Sequence, residues 1–167
     1  MARWIEPLAR TLAGAEAFRG LALRRASRDD EERLFELHRE AMREYVDATW
    51  GWDESWQRAY FADTYAPARN VLIVRDGARF ADGDELVGRI CLTQSWRRVF
   101  LRDIEVVVAE RNRGLGSAIL AAILEMARSR NGFVELIVLK CNPARRLYTR
   151  FGFSVVRDDG ARLTMRA

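Results

Sequence analysis

Arg111-Asn112-Arg113-Gly114-Leu115-Gly116-Ser117 is a basic, glycine-bearing turn set between a strand pattern and a helix pattern. Before it, Ile104, Val106 and Val108 alternate with Asp103, Glu105 and Val107, the period of a strand with unlike faces. After it, Ser117 to Arg128 combines helix formers with apolar residues at helical spacing. A strand, a glycine turn and a helix in that order make an anion site. The first N–H groups of a helix lack internal partners and the helix dipole is positive there. Gly114 and Gly116 leave room for a phosphate to reach the backbone. On these residues alone, the competing reading is an ordinary strand-to-helix connection whose glycines serve backbone geometry. Two other phosphate patterns do not fit. A dinucleotide-binding G-x-G-x-x-G needs glycine where Ile119 stands and more βα units than the remaining chain supplies. A Walker A loop needs Lys-Ser or Lys-Thr after the turn.

A second stretch follows. Phe133 to Lys140 is an apolar strand, and Asn142-Pro143 has the form of a helix N-cap with proline at the first helical position. The short helix should stop at Gly152. On it Leu147 and Phe151 share a face, while Tyr148 lies beside Arg145 and close to Ala144. Taken by itself, Tyr148 reads equally as a half-buried aromatic with its hydroxyl satisfied.

Together the two stretches resemble the GNAT superfamily of acetyl-CoA-dependent N-acetyltransferases, and more loosely an uncharacterised bacterial subgroup of it. Arg111, Gly114 and Gly116 match its strand-following Arg/Gln-x-x-Gly-x-Gly/Ala pattern. Asn142, Leu147-Tyr148 and Gly152-Phe153 match its second pattern. Many members carry proline where Val108 stands and glycine where Asn112 stands, and many space the Asn and Tyr one residue wider. The resemblance implies an α/β (α+β) mixed sheet of six or seven mostly antiparallel strands flanked by four helices. It divides the chain into an N-terminal extension, residues 1–20, and an acetyltransferase domain, residues 21–167.

The resemblance also implies roles. Acetyl-CoA would be the co-substrate, with no metal. Its pantetheine would run along Ile104 to Val106, with the N–H of Val106 near the thioester carbonyl. Its pyrophosphate would sit on the N–H groups of Asn112, Arg113, Gly114, Leu115, Gly116 and Ser117. Arg111 and Arg113 would add attraction, and Asn142, Arg145 and Tyr148 would complete the cofactor site. Tyr148 is the implied general acid for the departing thiolate. Asp103 and Glu105 are the candidate bases, with Glu105 preferred for its closeness to the reacting carbonyl. The acceptor would be a small-molecule amine or a protein amino group, and the expected transfer is direct, in a ternary complex. Cys141 as an acyl carrier has no partner evident in sequence beyond the distant His38. Many members pair through their C-terminal strands, which makes a homodimer a further expectation. A second reading is a catalytically silent acyl-CoA-binding sensor or scaffold, which would keep the turn and dispense with Tyr148.

The rest of the chain must position these groups. At 167 residues and 49% hydrophobic composition, it has material for one domain with a core. No apolar run reaches the roughly 18–20 residues of a membrane span. The first twenty residues lack the apolar region of a signal peptide and read as an extension outside the core, of amphipathic helical character. Free Cys91 and Cys141, without C-x-x-C spacing and with a single histidine, give no zinc site and suit a reducing cytoplasm. The net charge of +4 raises nucleic-acid binding as a third reading. Acids interspersed with the arginines, and no basic run of five or six, count against it.

Leu21 to Arg25 reads as a first strand, and a helix capped at Ser27 should end near Tyr45. Trp50, Trp52 and Trp56 follow. Two of the three are expected to cover the sheet, with the competing reading an aromatic pocket for a cationic amine. Asp53 and Glu54 should start a helix through Phe61. Val71 to Val74 with a turn at Asp76-Gly77, a loop over 79–84, a strand from Glu85 to Ser95 and a C-terminal hairpin turning at Asp158-Asp159-Gly160 complete the chain.

Overall fold

In the computed structural model, which describes residues 4–80 and 83–167, seven strands form one sheet in the order β1-β2-β3-β4-β5-β7-β6. These are β1 (Leu21–Arg25), β2 (Asn70–Phe80), β3 (Gly83–Gln94), β4 (Arg98–Val106), β5 (Phe133–Leu139), β6 (Ser154–Asp158) and β7 (Arg162–Arg166). All neighbours are antiparallel except β4 and β5, which run parallel. The helices are α1 (Ile5–Ala13), α2 (Glu31–Trp50), α3 (Glu54–Thr64), α4 (Leu115–Arg128) and α5 (Ala144–Arg150). This is the mixed, mostly antiparallel sheet the sequence implies, flanked by the four expected helices, α2 to α5, with α1 in the N-terminal segment.

The continuous apolar run Val71-Leu72-Ile73-Val74 is explained by burial on both faces of β2. Val71 and Ile73 join Ile119, Leu120 and Ile123 of α4 in the larger core. Leu72 and Val74 join Leu34, Phe35 and Leu37 of α2 and Phe61 of α3 in a second one. The N-terminal segment is part of the larger core: Leu8 and Leu12 of α1 are fully buried there, and α1 packs on α4. Its amphipathic helical character is as expected; its place is within the core rather than outside it.

Four local expectations change. The helix expected to end near Tyr45 continues to Trp50, where Gly51 takes φ +83° and its N–H bonds the Asp47 carbonyl. Trp50 and Trp56 are exposed. Trp56 stacks on Tyr60 with centroids 5.0 Å apart, and the Arg162 guanidinium lies over Trp50. The sheet is instead covered by the smaller Leu34, Leu37 and Phe61. β2 runs through the expected turn at Asp76-Gly77 as far as Phe80, and residues 81 and 82 of the expected loop lie outside the described residues. β4 ends at Val106, so Val108 belongs to a short 3-10 turn instead of the strand.

The feature that positions the site is a bulge in β4. Leu92 pairs with Leu101, but Cys91 pairs with Asp103, leaving Arg102 as an extra residue. The bulge changes the parity of the strand. Val99 and Leu101 face the α4 core and Ile104 and Val106 still pack against it, while Glu105 reaches His38 of α2 on the opposite face. Strict alternation would have driven Asp103 and Glu105 into the apolar α4 core.

Candidate functional site

β4 and β5 pair from Arg98↔Phe133 to Leu101↔Leu136 and no further. Past the bulge lies a cleft of about 630 Å³, with Ile104, Glu105 and Val106 along its floor. Arg111, Asn112, Gly114, Leu115, Gly116 and Ser117 form one wall, Asn142, Leu147 and Tyr148 another, and Met42 and Tyr45 of α2 a third. Two predicted cofactor residues are not among the lining. Arg113 is largely exposed and paired with Glu110, and Arg145 donates to the Lys140 carbonyl.

The turn has the backbone its residues suggest. Gly114 is the N-cap of α4 at φ +85°, and Asn112 also takes a positive φ of 60°. The first helical bond runs from the Ala118 N–H to the Gly114 carbonyl. The N–H groups of Leu115, Gly116 and Ser117 precede it and remain without helical partners. Arg111 donates through Nε to the Val106 carbonyl at 2.9 Å, and its buried Nη2 has no partner among the described residues. Across the cleft, the Asn142 Oδ1 accepts from the Ala144 N–H at 2.9 Å, which fixes the start of α5. Tyr148 leans on Phe153 from α5, and its hydroxyl bonds no described residue. Burial, with the Asp103 carboxylate adding to it, pushes this phenol up to about 12, so it is protonated at neutral pH.

Below the cleft floor lies a buried charge cluster. Arg89 of β3 donates through Nε to the Glu105 Oε2 at 2.9 Å, and its Nη2 lies 3.1 Å from the Asp103 Oδ2. The Glu105 Oε1 is 2.6 Å from the His38 Nδ1. Burial raises the Glu105 carboxyl, but Arg89 and His38 outweigh it and hold the group at about 2. Burial lowers the imidazole of His38, but the Glu105 and Asp103 carboxylates outweigh it and raise it above the ordinary value. Asp103 is raised, chiefly by burial against the pull of Arg89. Possible ligand atoms of His38, Asp103 and Glu105 lie within 4.8 Å of one another, yet Arg89 already places its guanidinium between the two carboxylates.

His38 and Arg89 were not singled out by the sequence as site residues. The available signal was Arg89 itself, a charge inside the apolar run Leu86 to Leu92, which requires a buried partner. His38 gave no such signal, because its partner lies 67 residues away.

The sequence profile described as the acetyltransferase (GNAT) family matches residues 32–153. Similar folds occur in solved structures. PaiA N-acetyltransferase from Thermoplasma acidophilum, in complex with coenzyme A, is 18% identical, with 87% of this chain and 97% of that chain covered and a TM-score of 0.65. The ribosomal-protein-S18-alanine N-acetyltransferase from Escherichia coli is 18% identical, covering 87% and 92%, with a TM-score of 0.60. Naa50 from Arabidopsis thaliana, in complex with the bisubstrate analogue CoA-Ac-MVNAL, is 18% identical, covering 89% and 98%, with a TM-score of 0.57. No curated protein sequence matches the chain. Among the described residues no helix is long and apolar enough to cross a membrane.

Proposed function

The chain belongs to the acetyltransferase (GNAT) family and is an acyltransferase, and from that premise we propose that it moves the acetyl group of acetyl-CoA directly to a primary amine. The observation that carries the reading is the cleft itself. It brings a helix N-terminus with free N–H groups and an unpaired Arg111 nitrogen to one end, and a protonated phenol to the other. The pyrophosphate of the co-substrate suits the N–H groups of Leu115, Gly116 and Ser117, with the unpartnered Arg111 Nη2 as a further donor. Arg113 and Arg145, off the cleft lining, are left long-range attraction for the nucleotide end. The acyl arm would lie along Ile104 to Val106, beyond the point where β4 loses β5 as a neighbour.

Three groups then have tasks. The Val106 N–H is aimed at the thioester carbonyl, where negative charge develops. Tyr148 gives its proton to the departing thiolate; a phenol near 12 holds that proton until the thiolate forms. The amine's proton goes to the charged cluster that contains Glu105. The acceptor is a small-molecule amine or a protein amino group, a range consistent with the S18-alanine N-acetyltransferase among the similar folds. A homodimer through the C-terminal edge is supported by Val155 and Val156, both exposed on edge strand β6. Solution in the cytoplasm is the setting that fits free thiols.

Calorimetric titration tests the co-substrate site. Acetyl-CoA and free CoA should bind the wild type at micromolar levels, with at least a tenfold loss in Gly116→Glu. A Cβ at Gly116 meets only the Leu147 side chain, at 3.6 Å, so this variant keeps the fold while setting a carboxylate among the phosphate-binding N–H groups. A folded wild type that binds neither ligand would refute the reading.

A further inference from the structure

We infer that His38 is the proton acceptor for the amine, acting through Nε2, with Glu105 as a positioning residue that fixes the ring and Arg89 fixing Glu105. This inference rests on the acetyl-transfer reading and assigns a residue to its proton step. The Glu105 Oε1 and the His38 Nδ1 are 2.6 Å apart. Glu105 is also bonded by Arg89 and is ionised, so it can only accept. The imidazole proton therefore sits on Nδ1, and in the neutral ring the lone pair sits on Nε2. Nε2 has no hydrogen-bond partner among the described residues, and the ring lines a small cavity of about 50 Å³.

Glu105 has neither oxygen free for a proton. One faces Arg89 and the other faces His38, and a carboxylate held near 2 is a weak base at neutral pH. Asp103 also carries the Arg89 guanidinium. His38 offers the unoccupied Nε2, while Asp103, whose Oδ1 also bonds no described residue, is tied to Arg89 through Oδ2. His38 also stands one helical turn before Met42, which lines the acyl cleft, so α2 carries it next to the floor at Glu105.

The neutral amine attacks the acetyl carbonyl, the N–C bond forms, and the proton of the resulting ammonium passes to the His38 Nε2. The C–S bond breaks and the thiolate takes the Tyr148 phenol proton. Solvent then removes the proton from Nε2 and returns one to the phenolate. The groups facing the ring are Glu105, Asp103 and Arg102 of β4, Arg89 and Cys91 of β3, Tyr60 of α3 and Tyr65 just after it. Burial holds the thiol of Cys91 and the phenol of Tyr65 near 12, so neither titrates alongside the imidazole. The carboxylates of Glu105 and Asp103 raise His38 and Arg89 opposes them.

The chain has a single histidine, so ¹⁵N-histidine labelling reports this ring alone. The expected spectrum at high pH is the Nδ1–H tautomer, with a titration midpoint above 6.5 that falls in Glu105→Gln. An Nε2–H tautomer, or a midpoint at or below 6.5 that Glu105→Gln leaves in place, would overturn the inference. In the same buffers, transfer from acetyl-CoA to a tripeptide α-amine and to putrescine is followed by release of CoA thiol. The expected result is a kcat/KM that rises with pH along the imidazole midpoint. In His38→Gln, kcat should fall about 100-fold or more, with CoA affinity within about twofold of wild type. Full kcat with an unchanged pH limb in His38→Gln overturns the inference alone. A wild type that binds acetyl-CoA and acetylates neither amine overturns the transfer reading and this inference with it.

Discussion

Gly88 of β3 faces Glu105 of β4 so closely that a Cβ built on Gly88 would lie 2.5 Å from the Glu105 carbonyl oxygen. The contact is with backbone, which cannot rotate away. Gly88→Ala should therefore push β4 outward at the cleft floor, costing about 1–3 kcal/mol of stability as overpacking does. Urea denaturation measures the cost. CoA affinity should fall with it, because Ile104 to Val106 move.

Leu8 and Leu12 tie α1 to the α4 core with no exposed surface. Leu8→Ala should destabilise the chain by about 2–5 kcal/mol, the range for a leucine removed from a packed interior. The midpoint of chemical denaturation reads this directly. An N-terminal segment that merely hung from the domain would give almost no change.

Glu105 predicts the acid limb of stability. Its carboxyl lies near 2 in the folded chain, below its ordinary 4.5. A lowered carboxyl contributes stability that is present above 4.5 and is lost as the pH falls toward 2. His38 has the opposite sign: raised above 6.5, it stabilises below that value and the contribution fades as the pH climbs through the raised midpoint. Glu105→Gln should flatten both limbs in a plot of unfolding free energy against pH.

Tyr148 carries the leaving-group prediction. Tyr148→Phe keeps the ring against Phe153 and removes only the hydroxyl, so acetyl-CoA should bind within about twofold of wild type. Its kcat should drop by about 100-fold, the lower range for loss of a general acid. Parallel titration and steady-state kinetics separate the two effects.

The turn and its helix were legible because local chemistry decides them: glycines at Gly114 and Gly116 and an apolar helical stripe after them specify the strand–turn–helix without distant help. Asn142 and Gly152 bracket α5 for the same reason. The cluster under the cleft was legible only in part: Asp103 and Glu105 stood out on their strand and Arg89 was a charge inside an apolar run, but which groups they pair with was not. His38, Arg89 and Glu105 meet across 67 and 16 residues of separation, and His38 carries no local signal of its partner. The bulge at Arg102 carries no glycine or proline to announce it, although it decides which face Glu105 occupies. The tryptophans misled because aromatic content suggests burial. Trp50 instead closes α2 and Trp56 stands in the first turn of α3, where Arg162 and Tyr60 respectively cover one face of the ring and solvent meets the rest. The amphipathic helical character of the first twenty residues was legible; only tertiary packing shows that α4 receives it through Leu8 and Leu12.

The most direct test of acetyl transfer is mass spectrometry of primary amines, small molecules and peptide α-amines alike, after incubation with acetyl-CoA and the wild-type chain, with Tyr148→Phe alongside. Acetyl transfer at this cleft predicts an N-acetylated product formed in step with CoA thiol release, and about 100-fold slower formation by Tyr148→Phe. Tight acetyl-CoA binding with no acetylated amine, or equal rates for the wild type and Tyr148→Phe, would contradict it.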